Sequence, residues 1–276
     1  MKNLVIKKID SKKYNQYMQE QLKIALIQSG LVWENPEQNR INFSKEIDNI
    51  DDVVDIIVLP EMFATGFTMN ASKVAETMNG KTVIWMHEQA VKTKSVITGS
   101  LVIKENSKYY NRLHFVEPSG YISTYDKRHT FTLVGEDKIY TAGSKKVIIT
   151  YKGWKIRPLI CYDLRFPVWT RNVADYDVLL YVANWPKPRI SAWDTLLKAR
   201  AIENMSYCIG VNRVGLDGMN SEYSGHSAVY DVLGNCITSF KPNKGHTETV
   251  TLEKSHIHAY RNKLKFLEDR DSFTIE

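Results

Sequence analysis

The chain is short of cysteine. Three occur in 276 residues, Cys161, Cys208 and Cys236, and they form no metal or disulfide spacing, so neither a disulfide scaffold nor a zinc module is expected. The odd count, without a secretory signal before it, fits a reducing cytoplasm. No apolar run approaches the roughly 20 residues that a membrane-spanning helix needs, so a membrane is not an expected partner. An Arg-rich arm, zinc-finger spacing and an RNA-binding signature are all missing. The net charge of +6 is spread along the chain, and nucleic acid is not an expected partner either. His256-x-His258 has no third ligand nearby, and no metal site is expected. No segment repeats.

The balance that is present, 43% hydrophobic and 25% charged, is that of a soluble globular chain long enough for one large domain or two small ones. Residues 1–21 are Lys-rich and polar after a short apolar start. They read as an N-terminal extension with helix near residues 14–21, or equally as a surface element of the fold. Residues 22–276 read as a single domain with a charged C-terminal tail.

Buried-type strands are expected at residues 22–28, 55–59, 96–103, 110–116, 121–125, 147–151, 154–160, 178–182, 208–211, 227–230, 235–240 and 247–252. Asn35 is placed to cap a helix, with Pro36 in its first turn. Further helices are expected over 82–92, over 167–174, and from a cap at Ser191 to about Asn204. Helices recurring between strands allow sheets covered on their outer faces.

Three strand ends stand out. An apolar strand ends at Pro60-Glu61, the strand from Tyr121 ends in a polar turn holding Lys127, and an apolar strand ends at Cys161. Ends of strands in α/β sheets are where sites are built. Each residue alone has a plain structural reading: Glu61 a loop acid, Lys127 a surface cation, Cys161 a buried thiol. Their common placement favours chemistry. At a strand end beside a helix start, Cys161 is expected to favour its thiolate. Cys208, in an apolar strand, reads as inert core, and Cys236 as structural.

The stretches LPEMFATGF, YDKRH and LICYDLRFP resemble the glutamate, lysine and cysteine motifs of the nitrilase (carbon–nitrogen hydrolase) superfamily. The likeness extends to Ala183-Asn184-Trp185-Pro186 and to Gly210-Val211-Asn212-Arg213, and within the superfamily it is greatest to the ω-amidase branch. The resemblance implies a four-layer αββα sandwich and a Glu61–Lys127–Cys161 triad, with Glu136 as a second glutamate beside Lys127. It implies a small amide substrate attacked by cysteine, with the backbone N–H of Tyr162 and Lys127 holding the oxyanion, and no cofactor. Arg165, Trp185 and Phe131 are pocket candidates. Arg165 is the first choice to anchor a substrate carboxylate and Arg128 the second. A homodimer stacked through helical faces is expected. The triad does not separate an ω-amidase from a carbamoylase, an aliphatic amidase or a nitrilase. An intact triad argues against a silent binding module.

Overall fold

A computed structural model describes residues 19–275. Strand β1 (Gln21–Gln28) shows how two layers arise from one period-2 pattern. Leu22, Ile24 and Leu26 face the core between two sheets, while Ala25 and Ile27 face a second core under helices. Successive side chains of a strand point to opposite faces, so a strand apolar at nearly every position must be covered on both. β2 (Ile56–Val58) and β3 (Val96–Glu105) extend the sheet in parallel. β4 (Lys108–Val116) and β5 (Ile122–Asp126) continue it as an antiparallel meander. On the other edge β13 (His246–Glu253) runs antiparallel to β1.

The second sheet holds β6 (Ile149–Tyr151), β7 (Trp154–Ile160), β8 (Val178–Ala183), β9 (Tyr207–Asn212) and β12 (Ala228–Tyr230), in the order β12-β9-β8-β7-β6. Its three central strands are parallel, and its two edges are antiparallel. β10 (Val214–Leu216) and β11 (Glu222–Ser224) form a separate antiparallel pair.

Helices α1 (Pro36–Asp48) and α3 (Lys81–Thr93) cover the first sheet. Phe43, Ile47, Val83, Met86 and Ala90 share a core with Ile57 and Ile97. As expected, Asn35 caps α1: its side chain accepts the Gln38 N–H at 3.1 Å, and Pro36 opens the helix. Helix α6 (Ile190–Asn204) covers the second sheet. Its Trp193 and Leu197 press so closely on β9 that a Cβ at Gly210 would lie 2.7 and 2.5 Å from them. The short helices α2 (Ala71–Val74), α4 (Glu136–Ile139) and α5 (Pro167–Thr170) lie in connections, and α7 (Lys254–Leu264) follows β13. Helix, sheet, sheet and helix make the four-layer αββα sandwich.

Three expectations are corrected. Gln21 is already strand, paired with Glu253, and the rest of the expected helix up to residue 18 lies outside the described residues, as does most of the 1–21 segment. Helix α6 begins at Ile190 without a side-chain cap, because a 3-10 turn over Lys187–Arg189 delivers the chain into it. Residues 235–240 form no strand. One bridge, Tyr230 to Cys236, survives there, and the Thr238 hydroxyl, rather than a carbonyl, accepts the Val229 N–H.

Candidate active site

Glu61 stands three residues past β2. The strand's pairing continues to Leu59, whose N–H reaches the carbonyl of Thr98 at 2.7 Å. The chain then turns through Met62, at φ 43°, which sends the Glu61 side chain inward to complete burial. Its Oε1 accepts from Lys127 Nζ at 3.0 Å and Asn111 Nδ2 at 2.8 Å. Its Oε2 accepts the backbone N–H of Asn184, also at 2.8 Å. Asn184 further donates its side-chain amide to the Glu61 carbonyl at 2.5 Å.

Lys127 continues the β4–β5 ladder by one step, its N–H bonded to the carbonyl of Asn111 at 3.0 Å. Its ammonium is 1% exposed and also holds both oxygens of Glu136, at 3.0 and 2.9 Å. Glu136 opens α4, fully buried, and accepts the Phe131 N–H at 2.5 Å. Burial pulls the Lys127 ammonium toward neutrality, but the carboxylates of Glu136 and Glu61 reverse this and hold it charged, well above the ordinary lysine range. Glu136 is raised from its ordinary value by burial, against the opposing pull of Lys127 and with a further push from Glu61.

Cys161 follows β7 directly, at φ 42°, a left-handed conformation that a non-glycine residue holds only where its surroundings enforce it. Asp163 supplies the enforcement. Its Oδ2 accepts the Ile160 N–H at 3.0 Å and the Tyr125 hydroxyl at 2.8 Å. Its Oδ1 accepts the His129 N–H at 3.0 Å and lies 2.7 Å from His129 Nδ1. One buried carboxylate thus ties the cysteine turn to the lysine turn. The expected thiolate is not favoured. Burial first, then the charge of Glu61, pushes the thiol well above its ordinary value, and Lys127 offsets only part of this. A cysteine held as a thiol beside a carboxylate needs its proton removed before it can attack.

Cys161 and Lys127 line a cavity of about 460 Å³. Phe67, Phe131, Tyr162 and Trp185 wall it, with Arg165 and Arg189 on the same wall. Arg165 lies 4.9 Å from the Trp185 ring centroid and Arg189 5.3 Å from that of Phe131. The Trp185 indole donates to the Arg189 carbonyl at 2.8 Å, which fixes this wall. Among the described residues neither guanidinium has a carboxylate within 4.0 Å. Arg128 does not line the cavity. It donates to the Gly143 carbonyl at 3.3 Å and stacks over Trp169.

Sequence reasoning did not find Asn111 or Arg189. Both lie outside the strand-end pattern, Asn111 inside β4 and Arg189 in the turn before α6. Of the other cysteines, Cys208 is buried in β9, and Cys236 is exposed, with its thiol against Thr238. His256 is half-buried against Asp231, Tyr207 and Tyr260, and His226 faces Asp194. Among the described residues, no cluster of His, Cys, Asp or Glu is arranged to hold a metal.

A model of the carbon-nitrogen hydrolase family matches residues 23–262. The chain belongs to this family. It is 42% identical over 254 residues to an omega-amidase, YafV, of Escherichia coli (strain B / BL21-DE3), covering 92% of this chain and 98% of the relative. It is 32% identical to a 2-oxoglutaramate amidase of Bacillus subtilis (strain 168), covering 78% and 84%. Among solved structures, the carbon-nitrogen hydrolase superfamily protein XC1258 of Xanthomonas campestris, with an arsenic adduct in its active site, superposes with a TM-score of 0.91. The two are 38% identical, over 94% of this chain and all of that one. Like its relatives in this family, the chain is an amide-hydrolysing enzyme.

Proposed function

We propose that the chain hydrolyses the terminal amide of a short dicarboxylic monoamide, of the α-ketoglutaramate or α-ketosuccinamate type, through a thioester on Cys161. The relatives named as omega-amidase and 2-oxoglutaramate amidase support the class. The observation that carries it is the pair Arg165 and Arg189, two cations without a carboxylate partner among the described residues, on the wall of the cavity that holds Cys161. A carboxylate leaving water needs such partners, and guanidinium supplies them in bidentate form.

Bound by its carboxylate, the substrate presents its amide carbon to Cys161. Glu61 takes the thiol proton as sulfur attacks. Lys127 and the Tyr162 N–H hold the developing oxyanion. The proton then passes to nitrogen, ammonia leaves, and water activated by Glu61 cleaves the thioester. Glu136 holds the Lys127 ammonium through both of its oxygens. In the same reading the enzyme is a cytoplasmic homodimer. Ile202 on α6 and Val168 on α5 leave apolar side chains exposed on the helical face that would pair.

The test is kcat/KM for α-ketoglutaramate and succinamate against neutral butyramide, in the wild type, Arg165→Met, Arg189→Met and the double variant. The acids should be preferred by about 10²-fold, as expected when a charged hydrogen-bonded pair worth about 3 kcal/mol is lost. The double variant should narrow that preference. If butyramide is hydrolysed as well as the acids, the aliphatic-amidase reading takes over.

A further inference from the structure

The first sheet places one more side chain in the charged cluster. Asn111 lies on β4, next to the Arg112–Asp126 pair of the β4–β5 ladder. Its carbonyl holds the Lys127 backbone, and its Nδ2 reaches Glu61 Oε1 at 2.8 Å and Glu136 Oε1 at 3.4 Å. It is 1% exposed, and its own Oδ1 has no partner among the described residues. Turning the amide over would aim Oδ1 at two carboxylate oxygens, so the charges fix its orientation.

The bonds at Glu61 can then be counted by atom. A carboxylate oxygen offers two lone pairs. Oε1 spends both, on Lys127 and Asn111. Oε2 spends one, on the Asn184 N–H, and keeps one. Each lone pair takes either a donor or a proton, so a proton arriving at Oε1 would have to break one of its two bonds, whereas Oε2 can take one and keep the Asn184 N–H.

Resting on Glu61 as the base that takes the thiol proton, we infer that Asn111 is a positioning residue that reserves Oε2 of Glu61 as the atom that carries the proton. In the acylation step the S–H bond breaks and its proton goes to the free lone pair of Oε2. The sulfur pair forms the S–C bond, and the carbonyl π pair moves to oxygen. The proton then passes from Oε2 to nitrogen, the oxyanion pair returns to re-form the C=O bond of the thioester as the C–N bond breaks, and ammonia departs with the former bonding pair. Asn111 holds the carboxylate in place during both transfers.

The groups that face this carboxylate are Lys127 after β5, Glu136 on α4, Tyr140 after α4, and Cys161 after β7. None supplies a neutral donor equivalent to the Asn111 amide at Oε1. The experiment is the pH profile of kcat/KM for ammonia release from succinamate, in full-length wild type, Asn111→Leu, Asn111→Asp and Glu61→Gln. Asn111→Leu removes a donor to an ionised group, which disfavours ionisation. The acid limb, a property of the two carboxylates together, should rise by about 1–2 pH units. Activity on that limb should fall about 10- to 100-fold while activity at alkaline pH is largely kept. Asn111→Asp should move the opposite way. Two neighbouring carboxylates keep the introduced carboxyl neutral at low pH, where its O–H replaces the lost donor. As pH rises it ionises, repels Glu61, and activity falls. Either variant keeping the wild-type profile, or both losing activity by one factor at every pH, overturns the inference. If Asn111→Leu does not fold, the Asn111→Asp profile decides alone. Failure of the underlying reading looks different: the wild type would release no ammonia, or Glu61→Gln would remain active.

Discussion

Replacing Glu61 by Gln should separate the ionisation of Cys161 from its use. The thiol is held above its ordinary value by burial and then by the negative charge of Glu61. Deleting that charge makes the thiolate easier to form. A like charge at contact range shifts its neighbour by about 1–3 pH units. Lys127, 3.0 Å from Glu61, already neutralises part of the field, so the expected fall is near the lower end, about 1 unit. The thiolate fraction at neutral pH then rises about tenfold. Lower basicity weakens each thiolate as a nucleophile, which leaves a gain of about 3-fold in alkylation rate. Ammonia release should move the other way, falling about 10²- to 10⁴-fold with the loss of a general base. The fold should survive, because Gln keeps an acceptor for Lys127 and Glu136 keeps the ammonium paired. The assay is iodoacetamide labelling followed by peptide mass spectrometry, in a Cys236→Ser background because Cys236 is exposed, with ammonia release measured in parallel. Slower labelling of Cys161 in Glu61→Gln, or retained turnover, would refute the reasoning.

Cys161→Ala should abolish ammonia release without lowering the melting temperature by more than a few degrees. Cys208→Ala, a small deletion in the core of β9, should keep most activity and cost under about 2 kcal/mol. Lys127→Met strands two buried carboxylates and should destabilise the fold by about 3–5 kcal/mol in urea titrations at pH 8. With its folded-state value raised further, Glu136 takes up a proton more readily folded than unfolded, so this variant should gain stability as pH falls. Glu34 accepts from Thr68 at 2.7 Å, Asn70 at 2.6 Å and Lys73 at 2.8 Å, and so fixes the cavity segment around Met69. Burial pushes the Glu34 carboxyl up, but these donors together hold it below its ordinary value. Its contribution to stability is therefore present above the unfolded carboxylate range and lost as pH falls through the lower folded value. Glu34→Gln should weaken that dependence and raise KM severalfold, with denaturation followed between pH 3 and about 6.

Where the chain carries an unbroken apolar run, its strand was legible. Ile56–Val58 and Val178–Ala183 are buried on both faces, and such runs leave no other arrangement of the backbone. Glu61 and Cys161, just past the apolar strands β2 and β7, were conspicuous for the same reason, and Lys127 by its place in the turn after β5. Asn111 was not, because a polar residue within a strand reads as one that faces solvent. Only the arrival of Glu61 and Glu136 from distant segments makes it a buried donor. Arg189 was hidden by the same non-locality: its side chain lies over Phe131, 58 residues earlier in the sequence. The state of the thiol was misread because a strand end beside a turn describes only the local field. Burial reverses it first, and the carboxylate that adds to the reversal comes from the other sheet. Helix α6 was found but its start was not, since the turn over Lys187–Arg189 takes the place of a side-chain cap.

The two sheets divide the chemistry between them. The first supplies Glu61 and Lys127 from past the ends of β2 and β5 and Asn111 from within β4, and the second supplies Cys161 and Asn184 from past the ends of β7 and β8. A proton passing from Cys161 to Glu61 therefore crosses the interface between sheets. Apolar packing alone resists sliding of one sheet over another only weakly, because it is not directional. Hydrogen bonds are directional, and at the site end they join the layers twice. Asn184 grips Glu61 through both its backbone and its side chain. Asp163 holds Tyr125 and His129 on one side and Ile160 on the other. The core between the sheets sets how far apart they stand, and these two clamps set the register at which a thiol and a carboxylate meet.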